Sequence, residues 1–196
     1  MTGHSERRRR QTTRQLGHDE HSAAVAGKTA HALSIGMKVI LCVGETLADR
    51  EAGSTLKVCQ NQLEAVKSKI TIENWKNVVI AYEPVWAIGT GVSASPEQAQ
   101  EVHCELRKWI MTHLSADIAE EMRIIYGGSV KPKTAPGLIA CDDIDGFLVG
   151  GCSLTGDFID IVNACPVEFD VAQRKKKGLE NIEKIRSCSA GGLKEL

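Results

Sequence analysis

No stretch of the 196-residue sequence comes near the ~18–20 consecutive apolar residues that a membrane helix needs, which excludes a bilayer span. A surplus of either charge is also missing. Lys and Arg number 24 against 25 Asp and Glu, so nothing marks a nucleic-acid binder. The four consecutive arginines at 7–10 are not followed by an apolar segment, and Glu6, Asp19 and Glu20 dilute the basic character. A secretory leader is therefore not expected, and the cytoplasm is the expected location. The seven cysteines include no C-x-x-C pair, and their odd number favours reduced thiols. His18, His21, His31, His103 and His113 show no ligand spacing with Cys or carboxylates, so no metal is expected. No G-x-G-x-x-G follows a strand and no Walker A sequence occurs, which leaves dinucleotide and P-loop readings without support. Aromatic residues are scarce at 4%, yet 42% apolar and 25% charged is the composition of a soluble globular chain, not a disordered one.

What is present is an alternation of two patterns. Short apolar runs at 38–43, 78–82, 123–126 and 146–149 are predicted strands, each bounded by Gly or Pro. Their continuous apolar character predicts burial on both faces, as in a parallel sheet. Cys42, inside the first run, is expected to be a core thiol. Between the runs, Leu56, Cys59, Leu63, Val66 and Ile70 step by three and four, as do Ala99, Val102, Leu106 and Trp109. Ser95-Pro96-Glu97-Gln98 reads as a helix start, with Ser95 as N-cap, Pro96 in the first turn and Gln98 completing a capping box. Further helices are expected over 23–33, stopping near Gly36, after Pro132, and from Asp157. Such alternation predicts βαβ units, in an open doubly wound sheet or a (β/α) barrel.

In parallel α/β folds the reactive groups collect at the C-terminal ends of strands. Glu83 ends one apolar run, just before Pro84. A carboxylate among apolar neighbours is desolvated, which raises its basicity and suits a general base. A strand-end Glu paired with Lys or Arg fits the same spacing. The glycine-bearing loop after it has the character of a lid. Tyr126-Gly127-Gly128-Ser129 and Val149-Gly150-Gly151-Cys152-Ser153 each follow a strand with a glycine pair and a hydroxyl. Two such ends in succession favour a phosphate site over plain turns. By residue pattern alone His4 is no more than an exposed N-terminal histidine.

Five segments, taken together, resemble triosephosphate isomerase. They are Gly-His-Ser-Glu-Arg-Arg (3–8), Cys-Val-Gly-Glu-Thr (42–46), Ala-Tyr-Glu-Pro-Val-Trp-Ala-Ile-Gly-Thr-Gly (81–91), Tyr-Gly-Gly-Ser-Val (126–130) and Gly-Phe-Leu-Val-Gly-Gly (146–151). The resemblance implies an α/β fold: a partial TIM (β/α)8 barrel, its C-terminal half to five-eighths, strands 5–8 with flanking helices, over 1–165. Residues 166–196 are expected to form a separate C-terminal extension, mobile or helical. The implied activity interconverts dihydroxyacetone phosphate and glyceraldehyde 3-phosphate through an enediol(ate), without cofactor or metal. This family is itself the type case for that acid–base arrangement and its lid. The resemblance implies Glu83 as base and His4 as neutral electrophile. Gly89, Ser129, Gly150 and Gly151 would bind phosphate, Leu148 would help exclude water, and Ser5, Glu6 and Tyr126 would support the site. The match begins at the family's His motif. The first three strands, the Asn-x-Lys element and the dimer loop are accordingly expected to be missing, and the family's homodimer is not assumed. A catalytically impaired chain acting only by binding or as an antigen is the alternative expectation.

Overall fold

In the computed structural model, residues 18–88 and 93–165 are described, with side chains from Ser22 onward. Helix α1 (His18–Ser34) leads through Gly36, whose φ of +81° is open to glycine at little cost, into strand β1 (Val39–Val43). Short helix α2 (Leu47–Glu51) and helix α3 (Thr55–Lys67) follow, then a 3-10 segment (Ile72–Asn77) and strand β2 (Val78–Tyr82). Helices α4 (Pro96–His113) and α5 (Ala116–Glu121) precede strand β3 (Ile124–Tyr126). Helix α6 (Ala135–Ile139), a 3-10 turn (Gly151–Leu154) and helix α7 (Asp157–Asn163) complete the order.

The strands pair in parallel in the order β1-β2-β3, with Val39 opposite Val78 and Ile80 opposite Ile124. Alternation along each strand decides which side chains meet the helices. Leu41, Val43, Val78, Ile80, Tyr82, Ile124 and Tyr126 turn to one face and are buried. Ala26 and Leu33 of α1, Cys59, Leu63 and Val66 of α3, and Val102, Leu106 and Ile110 of α4 share that core. The helix repeats read from spacing are thus core stripes. Truncating one of them, such as Leu63, costs about 2–5 kcal/mol. The predicted capping box forms at α4: Ser95 Oγ accepts from the Gln98 amide at 3.3 Å, and the Ser95 amide donates to Gln98 Oε1 at 3.1 Å.

Two expectations are corrected. β1 is not buried on both faces. Ile40 is 51% exposed and Cys42 is exposed, so Cys42 is not a core thiol. The reason is positional: β1 is the edge of the described sheet, and helices cover the other side of its pleat. The run at 146–149 is not a full strand. It makes one parallel bridge, Phe147 to Tyr126, supported by Tyr126 N to Gly146 O at 3.0 Å and Leu148 N to Tyr126 O at 2.9 Å. It lies where a fourth strand would lie. The parallel α/β class holds. Of the expected extension, residues 166–196 lie outside the described part.

Candidate functional site

Successive strand ends are locked side by side at the C-terminal edge of the sheet. The Glu83 amide donates to Val43 O at 2.7 Å, Gly127 N to Tyr82 O at 2.8 Å, and Leu148 N to Tyr126 O at 2.9 Å. Glu83 follows Val79 and Ala81 in the two-residue alternation, so it sits on the sheet face away from the helix-packed core. It is only 6% exposed. Glycines make room for it. A Cβ on Gly127 would stand 2.6 Å from Glu83 Cγ and 2.9 Å from Oε1. A Cβ on Gly44 would collide with the Glu83 carbonyl. Gly44 is clamped in turn by the Gln62 side chain, whose Oε1 accepts the Gly44 amide at 2.9 Å and whose Nε2 donates to its carbonyl at 3.0 Å.

The segment after Glu83 is held at both ends. At the near end, Pro84 leads into a 3-10 turn (Val85–Ala87), and the Val85 amide donates to Glu45 O at 2.9 Å. The Glu45 side chain is fully buried. It accepts Trp86 Nε1 at 2.9 Å and the Tyr82 hydroxyl at 3.1 Å, and pairs with Arg50 Nη1 at 3.4 Å. Arg50 also lies over the Trp86 ring, 5.3 Å from its centroid, in cation–π range. Burial first, and then the Glu45 charge, push the Tyr82 phenol well above its ordinary range, so it stays a donor. At the far end the Ala94 amide donates to the Tyr126 hydroxyl at 3.0 Å. Gly128 packs against that hydroxyl and against Pro84, where a Cβ would come within 2.9 Å of Pro84 Cγ.

Ser129 has φ +52°, a left-handed conformation uncommon for a residue with a Cβ. Such local strain concentrates at functional sites. Leu148 is half-buried, while Gly150 and Gly151 are exposed at the start of the 3-10 turn. There the Ser153 amide and hydroxyl both donate to Gly150 O, at 3.0 and 2.6 Å.

Glu83, Tyr126 and the Gly127-Gly128-Ser129 turn are therefore neighbours, with Leu148 on the adjoining segment. His4, Ser5, Glu6 and Gly89 lie outside the described residues, as do 90–92 of the expected lid. Glu45 is the residue that sequence reasoning passed over. Its motif was visible, but its contacts with Tyr82 and Trp86 bridge 37 and 41 residues of chain. Among the described residues, no group of three or more His, Cys, Asp or Glu could hold a metal ion. A cavity lined by Trp75, Lys76, Val78, Met122 and Arg123 opens at the N-terminal ends of β2 and β3 and takes no part in this site. What the arrangement can do chemically is hold one nearly buried carboxylate beside glycine-rich turns whose amides suit an anion.

The family model for triosephosphate isomerase matches residues 1–165. The chain is 55% identical over 168 residues to a cytosolic triosephosphate isomerase of Oryza sativa subsp. japonica, covering 86% of this chain and 63% of that protein. It is 54% identical over 164 residues to a triosephosphate isomerase of Coprinopsis cinerea, covering 84% of this chain and 62% of that one. It thus spans a little under two thirds of the length of these curated relatives. The chain belongs to the triosephosphate isomerase family.

Proposed function

We propose that this family member interconverts dihydroxyacetone phosphate and glyceraldehyde 3-phosphate, with Glu83 moving the proton between the two carbons. The observation that carries this reading is Glu83 itself: almost buried, at the C-terminal end of the central strand, in space left by Gly127. A carboxylate so held can be presented to one substrate carbon in a fixed direction. His4 is the electrophile that polarises the carbonyl, with Ser5 and Glu6 as supporting residues. The amides of Gly89, Gly150 and Gly151 and the Ser129 turn take the phosphate. Leu148 and the lid exclude water, which keeps the enediolate from eliminating its phosphate. Tyr126 supports the site by holding Ala94. No cofactor enters the scheme.

In the same reading, β1, β2, β3 and the segment at Phe147 stand as strands 5–8 of the family barrel, within a domain over 1–165, with 166–196 as an extension. The location is the cytoplasm, and the family's homodimer is not assumed. The decisive experiment is coupled isomerase turnover by the purified chain, alongside Glu83→Gln. Turnover that survives Glu83→Gln removes the assignment. A second reading is a catalytically impaired chain that acts only by binding, to which the open β1 edge of the described sheet, with Ile40 51% exposed, points. Binding of a phosphate-bearing substrate analogue without turnover selects it.

A further inference from the structure

We propose that His103 is a positioning residue for the loop between Glu83 and Ala94, acting as a common wedge behind the two tyrosines that hold the loop's ends. His103 lies on α4 and is fully buried. Its ring stands edge-on to Tyr82, with centroids 5.7 Å apart and planes at 84°. It is tilted against Tyr126 at 6.3 Å, and the two tyrosine rings are themselves 6.3 Å apart. The three rings close a triangle at separations where aromatic pairs attract. One corner reaches Glu45 and through it Trp86, at the start of the loop. Another takes the Ala94 amide at its end. A shift of the imidazole therefore moves both anchors together.

The wedge is mounted on a rigid frame. His103 Nδ1 donates to the Asp143 carbonyl at 3.2 Å, which also accepts Arg107 Nη2 at 3.2 Å. Arg107 Nε pairs with Asp143 Oδ1 at 2.8 Å, and its Nη2 with Asp145 Oδ2 at 2.9 Å. Its Nη1 donates to the Ala119 and Met122 carbonyls. Gln100, one turn before His103, grips Asp143 from the other side: its Nε2 donates to Oδ2 at 2.6 Å and its Oε1 accepts the Asp143 amide at 3.1 Å. Burial also keeps the ring neutral, so no charge disturbs the packing at ordinary pH. The functional weight of the wedge rests on the reading of this loop as the lid over Glu83; the packing itself does not.

The test uses the full chain, 15N-labelled, with exchange of the Ala94 amide and the Trp86 indole N–H followed by NMR, and isomerase turnover measured in parallel. His103→Leu removes the ring and keeps an apolar side chain. Both exchange rates are expected to rise together by about tenfold or more, while the Trp75 indole, in the core away from the loop, changes by less than about twofold. His103→Phe restores a ring, and the Asp143 carbonyl keeps Arg107 as donor, so both rates are expected to return close to the parent values. Movement at one end only, no movement, or a His103→Phe chain as loose as His103→Leu overturns the proposal. So does loss of far-UV helical signal in His103→Leu, since a side chain required by the whole fold is not specific to the loop. Absence of turnover in the parent would overturn the proposed function, while the exchange rates would still decide the wedge.

Discussion

Glu83 occupies the space that a side chain at Gly127 would claim, for a Cβ there would stand 2.6 Å from Glu83 Cγ. Gly127→Ala is therefore expected to displace the carboxylate. A misplacement on the order of 1 Å costs roughly 100-fold in rate where orientation matters. The measurement is kcat in the coupled assay, with a thermal melt to show that the fold is kept. Gly27→Ala is the control. In α1 the added methyl meets nothing within 4 Å. There the same change is expected to stabilise by about 0.5–1 kcal/mol. Unchanged kcat in folded Gly127→Ala would argue against Glu83 as the base.

Glu45 gives a stability prediction. Glu45→Ala strips the buried acceptor from the Tyr82 hydroxyl and the Trp86 indole N–H. Each stranded donor costs about 1–3 kcal/mol. Urea unfolding should show a loss on the order of 3 kcal/mol, and Glu45→Gln, which keeps a carbonyl acceptor, a smaller one. Equal losses in the two variants would mean that the acceptor role is not what Glu45 contributes.

Acid should act through His103. Burial, opposed by the hydrogen bond to the Asp143 carbonyl and aided by the Arg107 charge, lowers its pKa from 6.5 to about 3. The unfolded chain takes up the proton near pH 6.5, whereas the folded chain resists it until about 3, so protons favour unfolding across this window. The contribution is fully present above the upper value and is lost on acidification at up to about 1.4 kcal/mol per pH unit. His103→Phe lacks this proton uptake. Its stability relative to the parent, from urea unfolding at neutral pH and at successively lower pH, should improve on acidification. A difference independent of pH would contradict the assignment.

Exposed apolar side chains gather at the two sides of the sheet. Ile40 lies on β1 with Ile35, Met37 and Leu47 flanking it, and Leu154, Phe158, Ile159 and Val162 lie beyond β3. Open strand edges with apolar surface invite association. Ile40→Thr keeps the β-branch and removes half-exposed hydrocarbon, so stability should change by no more than about 0.5 kcal/mol. Light scattering on heating should begin at a higher temperature than in the parent. An unchanged onset would place the sticky surface elsewhere, with Ile159→Thr as the next substitution to test.

Element types and most of their positions were legible in local sequence patterns. Leucine and valine spacing marked α3 and α4, Ser95 and Gln98 marked the start of α4, and the apolar run at 78–82 became β2 residue for residue. These signals are local: each is written within a few turns of helix or one strand length, so no distant partner is needed to read them. The strand-end position of Glu83 and the glycine turns beside it were legible for the same reason. Long-range packing, in contrast, makes β1 an edge with Ile40 exposed, leaves the 146–149 run with a single bridge, and brings Glu45, His103, Tyr82 and Tyr126 together around one loop. Those relationships join residues 21 to 44 positions apart. They follow from sheet order and from which face the helices cover, and neither is encoded in any short window of the chain.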